Sequence, residues 1–394
     1  MSLLNIWNES QEQLLDKKVS QIIAFAGSGK LLDGNDAANE FREFLNHIPS
    51  SLVANYLNDC IDETFPDSGL ALQDLVNQVG RRLDFEVTDG LYRGKPGVPG
   101  QDGIWKMPSG ETIVVEVKTT AAYQIKLDSI WNYRKALIKD NLLSEDNSSI
   151  LIVVGRQDTK DLEAQVRGSK YAWDMRLISV DALLRLLKLK EEVDDPQIIK
   201  KIGDILLPQE FTKLDGIIDI VFSTAEDVKD VGIEDDEIDE EGVGRKPKFV
   251  PASFHDACVE RIKTHLSKNL IKKSRGNYAS PDGTLRLTCQ VSKEHQRYSS
   301  GPAYWFAFHG HYVEWLSNAE TSYAAFGCGS EANLLLIPFH EFESFLDGLN
   351  TTEKEDRRYW HVQVHNENGK YIMRRKTGFD HIDVSKYLLS NKAT

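Results

Sequence analysis

Apolar side chains recur along this chain with two different periods, and the change of period predicts where helices and strands lie. Residues 1–65 carry them at roughly helical spacing and are predicted to form a helical N-terminal segment. Residues 66–222 mix both periods, because amphipathic helical stretches are interleaved with short runs of period two. Strands interleaved with helices form sheets covered by helices, so we predict an α/β domain with a mixed sheet flanked by helices.

The middle of this α/β region has the pattern of a β-hairpin. The strand-like runs "DGIWKM" and "ETIVVEVK" are joined by "PSG", a short loop with a glycine at its end. A helix is predicted before the hairpin, in "GLALQDLVNQVGRRL", and another after it, in "LDSIWNYRKALIKDNL". The later run "SSILIVVG" is apolar throughout, which is typical of a strand buried on both faces.

Negative charge is concentrated in one segment between two predicted domains. Residues 226–241 hold ten acidic side chains and one lysine, which account for −9 of the net charge of −14. The segment has no aromatic residue and no periodicity, so residues 223–249 are predicted to be a solvated acidic linker. Because the rest of the chain is far less acidic, the net charge does not exclude a nucleic-acid partner.

Residues 250–394 open with a helical pattern and continue with short strands rich in aromatic residues. This composition predicts a separate α+β or barrel-like C-terminal domain. Its most aromatic stretch, "AYWFAFHGHYVEWL", is interpreted as a strand on which His309 and His311 share a face. The aromatic side chains of this stretch either build a core and interface or stack on bases.

Targeting and cysteine patterns indicate a cytoplasmic protein. No apolar run approaches the ~20 residues needed to span a bilayer, and the N-terminus lacks a signal-like pattern, so no membrane partner is expected. The four cysteines are scattered without a CxxC pair, so we expect neither a disulfide framework nor a cysteine-rich zinc site.

The register of the predicted hairpin brings two acidic residues together. If "PSG" is a three-residue loop, Asp102 lies directly opposite Glu116, with Cβ atoms about 4.5–5.5 Å apart, and the two carboxylates repel each other. A divalent cation converts this repulsion into ligation, and Mg²⁺ commonly takes one or two carboxylates plus water and phosphate oxygens. Lys118 follows on the same face, where it would orient or deprotonate a water molecule, or offset charge developing on phosphorus.

Asp102 followed by Glu116-Val117-Lys118 at the end of an apolar strand, with a helix on either side, resembles the active-site motif of the PD-(D/E)XK nuclease superfamily. The resemblance covers about residues 66–190 and implies the restriction-endonuclease-like fold. It implies that Asp102 and Glu116 bind Mg²⁺ (for which Mn²⁺ substitutes), with Val117 as a further residue of the metal site. It also implies that Lys118 is the catalytic lysine of phosphodiester hydrolysis.

Parts of the family pattern are altered here. Gln101 stands where the motif's proline would be. Some branches carry an extra glutamate on the preceding helix, and the candidates here are Gln73 and Asp74, with Asn77 one turn on, so an additional acidic ligand stays an open question. Exonuclease branches carry Gln-x-x-x-Tyr on the following helix, whereas this chain has Ser129 four residues before Tyr133.

Further residues are predicted around the site. Gln73, Thr119 and Gln165 are possible accessory residues, and Thr119 would either hold a metal-bound water or simply end the strand. Basic residues that fit a phosphate track, or are plain surface, are Arg81, Arg82, Arg93, Lys95, Lys126, Arg134 and Lys135. In the C-terminal domain the basic turns contain Lys272, Lys273, Arg275, Arg374, Arg375 and Lys376, which would bind a DNA backbone or be solvated turns.

The leading functional prediction is a Mg²⁺-dependent DNA endonuclease similar to bacterial restriction and antiphage defence nucleases, with a C-terminal recognition or sensor domain. Because cutting two strands needs two active sites, a homodimer or higher homo-oligomer is expected, and a partner subunit of a defence system is possible. A repair or recombination nuclease acting on branched or single-stranded DNA is one alternative. A catalytically silent nucleic-acid-binding or complex subunit is the other.

Overall fold

The computed structural model describes residues 2–119, 125–155, 159–208, 251–295, 302–354 and 357–390. The predicted linker, residues 223–249, lies outside them. The described chain divides into two compact units. The first contains the described residues up to Val193 together with residues 197–208, and the second contains Asp194–Pro196 together with the described residues from 251 onward.

Six helices precede the first strand of the first unit. They are α1 (Leu3–Glu9), α2 (Glu12–Leu15), α3 (Val19–Phe25), α4 (Asp36–His47), α5 (Ser50–Asp62) and α6 (Ser68–Arg82). Asn35 caps α4 by accepting a hydrogen bond from the Ala38 N–H at 3.0 Å. The buried side chains Phe41, Phe44 and Tyr56 lie in the same core as α6. The predicted N-terminal segment is therefore part of the first compact unit and not a separate body.

The first unit is built on a mixed five-stranded sheet in the order β1-β2-β3-β4-β5. The strands are β1 (Glu86–Asp89), β2 (Gly103–Lys106), β3 (Thr112–Lys118), β4 (Ser148–Val154) and β5 (Met175–Ser179). β1, β2 and β3 pair antiparallel, whereas β3, β4 and β5 pair parallel. The later helices are α7 (Leu127–Lys139), α8 (Lys160–Arg167), α9 (Val180–Glu192) and α10 (Pro196–Asp204). The prediction of a mixed sheet flanked by helices is confirmed.

Both faces of β3 are buried, because helices cover each side of the sheet. Ile113 and Val115 belong to the core that contains Val76 of α6. Val114 belongs to a second core that contains Ile130 of α7 and further side chains of α8. The alternation predicted from the sequence is thus present, but the face that carries Glu116 is not an open surface.

The second unit is α+β. Its elements are α11 (Pro251–Leu266), β6 (Ile271–Lys272), β7 (Asn277–Ala279), β8 (Leu285–Ser292), β9 (Ala303–His309), α12 (Gly310–Ser317), β10 (Thr321–Cys328), β11 (Leu334–Pro338), α13 (Phe339–Leu346), β12 (Asn350–Lys354), β13 (Arg357–Glu367), β14 (Lys370–Arg374), β15 (Ile382–Asp383) and a 3₁₀ turn at Ser385–Tyr387. One sheet has the order β11-β10-β8-β7-β6, and in the other β13 pairs with β9, β12 and β14, which in turn pairs with β15.

The aromatic stretch of the second unit is not one continuous strand. β9 ends at His309, and His311 lies in helix α12, so the prediction that the two histidines share a strand face is wrong. Tyr304, Phe306 and Phe308 are buried in the core of this unit. These three side chains therefore build a core, which was the first of the two alternatives for the stretch.

No helix within the described ranges is long and apolar enough to cross a membrane. The four cysteines are buried, and none forms a disulfide.

Candidate active site

The β2–β3 hairpin has the register predicted from the sequence. Lys106 lies opposite Thr112 and Gly103 lies opposite Val115. At the loop end, the Met107 N–H donates to the Glu111 carbonyl at 2.8 Å. Continuing this register by one residue places Asp102 next to Glu116, at the carboxyl end of β3.

Asp102, Glu116 and Lys118 are brought together by this register. The Val117 N–H donates to Asp102 Oδ2 at 2.6 Å, which ties the carboxylate to the middle of the Glu-Val-Lys segment. Lys118 Nζ donates to Glu116 Oε1. Val117 therefore contacts Asp102 through its main-chain N–H, which orients the carboxylate.

Burial makes this cluster electrostatically unusual. Burial and the neighbouring Glu116 raise the pKa of Asp102 to about 7, against the opposing effects of the Val117 N–H and Lys118. Burial also raises the pKa of Glu116, although Lys118 counteracts part of the rise. When both carboxyls are ionised, a single ammonium faces two carboxylates, so the site carries excess negative charge.

Lys118 is held as an ammonium at neutral pH. Burial by itself would lower its pKa, but the combined effects of Glu116, Asp102 and Tyr133 outweigh burial and the pKa is raised. A lysine whose pKa is raised is a poor general base near pH 7. Of the roles considered for Lys118, orienting a water or offsetting charge on phosphorus is favoured over deprotonating the water.

The carboxylates fit a hard divalent cation. Glu116 is 6% exposed. Its Oε2 atom has no hydrogen-bond partner among the described residues, which is costly for a buried anionic oxygen. Oxygen ligands of this kind suit Mg²⁺. The part of the chain that the structure describes contains no cluster of three or more His, Cys, Asp or Glu side chains suited to a metal. A cation held here would take two carboxylates from the protein, Asp102 and Glu116, and would fill its remaining positions with other oxygen ligands.

Two side chains of α6 hold the main chain of Asp102. Gln73 Nε2 and Asn77 Nδ2 donate to the Asp102 carbonyl at 3.1 and 2.9 Å. Asn77 Oδ1 accepts from Trp105 Nε1 at 2.9 Å, which fixes the orientation of the amide. Gln73, predicted as an accessory residue, thus acts through the backbone of Asp102. Asn77, noted in the sequence one turn after Gln73, lies on the same helix face.

Asp74 does not face the carboxylate pair as an additional ligand. Its Oδ1 accepts from Arg42 Nε at 2.9 Å, and its other oxygen accepts from the Tyr92 hydroxyl. Burial raises the pKa of Asp74 to about 6, although the Arg42 charge and the Tyr92 hydroxyl both act to lower it. Both carboxylate oxygens of Asp74 are therefore used in a separate contact between α4, α6 and the chain before Asp102.

The other predicted accessory residues are Thr119 and Gln165. Residues 120–124, which follow Thr119, are outside the described ranges. Thr119 is exposed immediately after β3. Gln165 of α8 accepts from the Ile125 N–H at 3.0 Å and donates to the Ile125 carbonyl. The amide of Gln165 thus braces the chain that enters α7, and both of its polar atoms are engaged there.

Two of the predicted phosphate-binding arginines are internal structural residues. Arg134 is 2% exposed and donates to Ser148 Oγ, the Glu145 carbonyl and Asp174 Oδ1 at 3.0, 2.7 and 3.3 Å. Arg82 is also buried, and one of its nitrogens donates to the carbonyls of Leu45 and Ile48. Both guanidiniums satisfy carbonyls at the ends of neighbouring elements, so neither is available to a nucleic acid.

The remaining basic candidates reach solvent to different extents. Arg93, Lys95 and Lys126 are exposed on the first unit. Lys272, Lys273 and Arg275 are half-buried at the β6–β7 turn of the second unit. Arg81 pairs with Asp89 at 2.6 Å, so its charge is compensated.

Tyr133 of α7 is a further residue beside the site. It is close enough to Lys118 to help raise the pKa of that lysine. A side-chain carbon at Gly100 would lie 3.3 Å from the Tyr133 ring, so the chain before Asp102 passes close to this tyrosine. Tyr133 therefore borders the carboxylate cluster on the α7 side.

Comparison of the chain with models of known protein families and with curated proteins gives no match.

Proposed function

We propose that this chain is a Mg²⁺-dependent nuclease that hydrolyses DNA phosphodiester bonds. The observation that carries the proposal is the meeting of Asp102, Glu116 and Lys118 at the carboxyl end of β3. Two buried carboxylates and one ammonium match the chemistry that a phosphodiester hydrolase of the PD-(D/E)XK type needs. The mixed sheet, with an antiparallel hairpin followed by parallel strands, supports a restriction-endonuclease-like fold.

The residues of the site would divide the chemistry between them. Asp102 and Glu116 would hold the cation, which supplies charge stabilisation to a phosphate oxygen and a more acidic bound water. Lys118, as an ammonium, would orient the attacking water and offset negative charge that develops on phosphorus. Gln73 and Asn77 would keep Asp102 in place through its carbonyl. A site that is fixed before substrate binds needs little reorganisation during the reaction.

The wider assignments are part of the same proposal. The second unit would recognise a sequence, a modification or a partner, and the protein would act in the cytoplasm in restriction or antiphage defence, on its own or with a partner subunit. Two-strand cleavage would require a homodimer or higher assembly. A repair or recombination nuclease would instead prefer branched or single-stranded substrates, so the substrate panel below separates the two.

The test is a cleavage assay on supercoiled plasmid, branched DNA, linear single-stranded DNA and RNA, each with Mg²⁺, Mn²⁺ or chelator. We expect Mg²⁺-dependent cleavage of DNA that falls by roughly 100-fold or more in Asp102→Asn, Glu116→Gln and Lys118→Met. The matched control is Glu86→Gln, the same chemical change at an exposed position of β1, which should cleave normally.

Three results would count against the proposal. Cleavage that survives in all three variants would show that the activity lies elsewhere. Wild-type protein that cuts none of the substrates, yet binds Mg²⁺ through Asp102 in titration calorimetry, would favour a catalytically silent subunit. Wild-type protein that neither cuts nor binds a divalent cation would remove the metal site altogether.

A further inference from the structure

A closed loop leads directly into Asp102. The chain leaves β1 at Asp89 and returns at Asp102, where the Gly90 N–H donates to the Asp102 carbonyl at 3.0 Å. A side chain at Gly90 would collide with the Gln101 carbonyl, so the two ends of the loop are in contact. We call residues 91–101 the entry loop. Because residue 101 is followed directly by Asp102, the entry loop ends at the candidate active site.

The first part of the entry loop is held by carboxylates from elsewhere in the first unit. Asp33 accepts from the main-chain N–H groups of Tyr92 and Arg93 at 2.7 and 3.2 Å. The Tyr92 hydroxyl donates to Asp74, and the Arg42 guanidinium lies 4.8 Å from the centre of the Tyr92 ring. These contacts fix the backbone just before the exposed residues begin.

The middle of the entry loop presents two exposed cations, Arg93 and Lys95. Neither side chain has an ion-pair partner among the residues that the structure describes. By contrast, other cations near the site are paired with carboxylates: Arg42, Arg81, Lys106 and Lys118. A turn closed by the Val98 N–H and the Lys95 carbonyl at 3.0 Å exposes Val98 next to these charges.

We propose that the entry loop is a preorganised arm that binds backbone phosphates of the nucleic acid through Arg93 and Lys95, and that Asp33, Asp74 and Tyr92 position it. The proposal rests on the proposed nuclease function, because the phosphates are those of the substrate. Holding the backbone at Tyr92 and Arg93 reduces the entropy lost when the two cations engage phosphates. The carboxylates that hold the loop bind its main chain and Tyr92, and so leave its two cations available.

The charge component is tested by the salt dependence of binding. Fluorescent duplex and single-stranded DNA are titrated in chelator at 50–200 mM salt, so that no cleavage occurs. Losing two phosphate contacts should reduce the slope of log affinity against log salt by about 1.8 for a duplex and about 1.4 for a single strand. Arg93→Ala/Lys95→Ala is therefore expected to show this reduction. The matched control Lys139→Ala/Lys200→Ala removes two exposed charges elsewhere in the unit and should leave the slope unchanged.

The positioning component is tested by Asp33→Ala, with Tyr92→Phe as a milder second variant. Amide hydrogen exchange at Tyr92 and Arg93 should accelerate at least tenfold in Asp33→Ala, because both amides lose their acceptor. Removing the negative charge of Asp33 would by itself tighten DNA binding. If Asp33→Ala nevertheless binds DNA more weakly than wild-type protein, with an unchanged salt slope, the entry loop has lost its position. This weaker binding is the result that we expect.

The outcomes separate this inference from the proposed function. If wild-type protein cleaves DNA but the entry-loop double variant keeps the full salt slope, the phosphate-binding role is overturned and the nuclease assignment stands. If wild-type protein binds neither form of DNA, the phosphate-binding role also fails, whatever the cleavage assay shows. Unchanged exchange at Tyr92 and Arg93 in Asp33→Ala would overturn the positioning role alone.

Discussion

Asp102→Asn is expected to make the metal-free protein more stable at pH 8, although it should abolish activity. The Asp102 carboxylate is largely buried beside Glu116, and both effects disfavour its ionised form. An asparagine has nearly the same shape, and its side-chain oxygen still accepts from the Val117 N–H. The substitution therefore removes the unfavourable charge and keeps the hydrogen bond.

The size of the effect follows from the pKa of Asp102, which is raised from 3.8 to about 7. Below about pH 4 the carboxyl is protonated in the folded and the unfolded chain, so the shift does not affect stability. Between about pH 4 and 7 the unfolded chain releases the proton more readily, so wild-type protein loses stability as the pH rises, and the loss is constant above about pH 7. A rise of this size corresponds to at most about 4 kcal/mol. Because asparagine also loses attraction to Lys118, we expect a gain of about 1–3 kcal/mol.

The assay is urea unfolding of wild-type protein and Asp102→Asn in chelator from pH 5 to pH 8.5, with Asp140→Asn as an exposed control. The stability difference should be smallest at pH 5, grow up to about pH 7 and then level off, whereas the control should show no such trend. Mg²⁺ should then raise the stability of wild-type protein but not of Asp102→Asn. A variant that is less stable than wild type at pH 8, or a difference independent of pH, would refute the argument that two buried carboxylates repel each other here.

Two further substitutions test how the site is supported. Gly103→Ala places a methyl group against Asn77 Oδ1, so it should lower the free energy of unfolding by about 1–3 kcal/mol and remove most of the cleavage activity. Gly94→Ala is the control, because nothing lies within 4 Å of the added carbon, and it should change neither property. Urea unfolding and plasmid cleavage measure the two effects. Arg134→Met leaves buried acceptors unpaired and should lower the free energy of unfolding by about 2–4 kcal/mol, while the adjacent Lys135→Ala should change it by less than about 0.5 kcal/mol. Equal effects at either pair of positions would contradict the packing described.

The hairpin and its acidic pair could be predicted from the sequence because the information is local. A three-residue loop fixes which residues face each other, and the period of two fixes which side chains share a face. The structure has this register at Lys106–Thr112 and Gly103–Val115. The mixed sheet was predictable for a similar reason, since apolar strands alternate with amphipathic helices.

The sequence could not show where two of the long polar side chains are directed. Arg134 and Gln165 lie on helices whose pattern permits a polar residue to face solvent, and no local signal shows otherwise. Arg134 is buried because loops distant in sequence bring the Glu145 carbonyl and Asp174 to it. Gln165 faces Ile125, forty residues away, whose main-chain groups it satisfies. Contacts of this kind depend on how the chain packs and cannot be read from spacing.

The amino-acid sequence by itself determined that an acid, a second acid and a lysine occupy one end of a hairpin, since strand geometry and loop length settle that without distant partners. The tertiary structure decided how those groups behave. Helices that cover both faces of the sheet bury Glu116 and raise the pKa of Asp102. The α6 amides of Gln73 and Asn77 hold the Asp102 carbonyl from across the fold. The physical reason is that side-chain order along a strand is a local property, whereas desolvation and hydrogen bonding between distant segments exist only after the chain has packed.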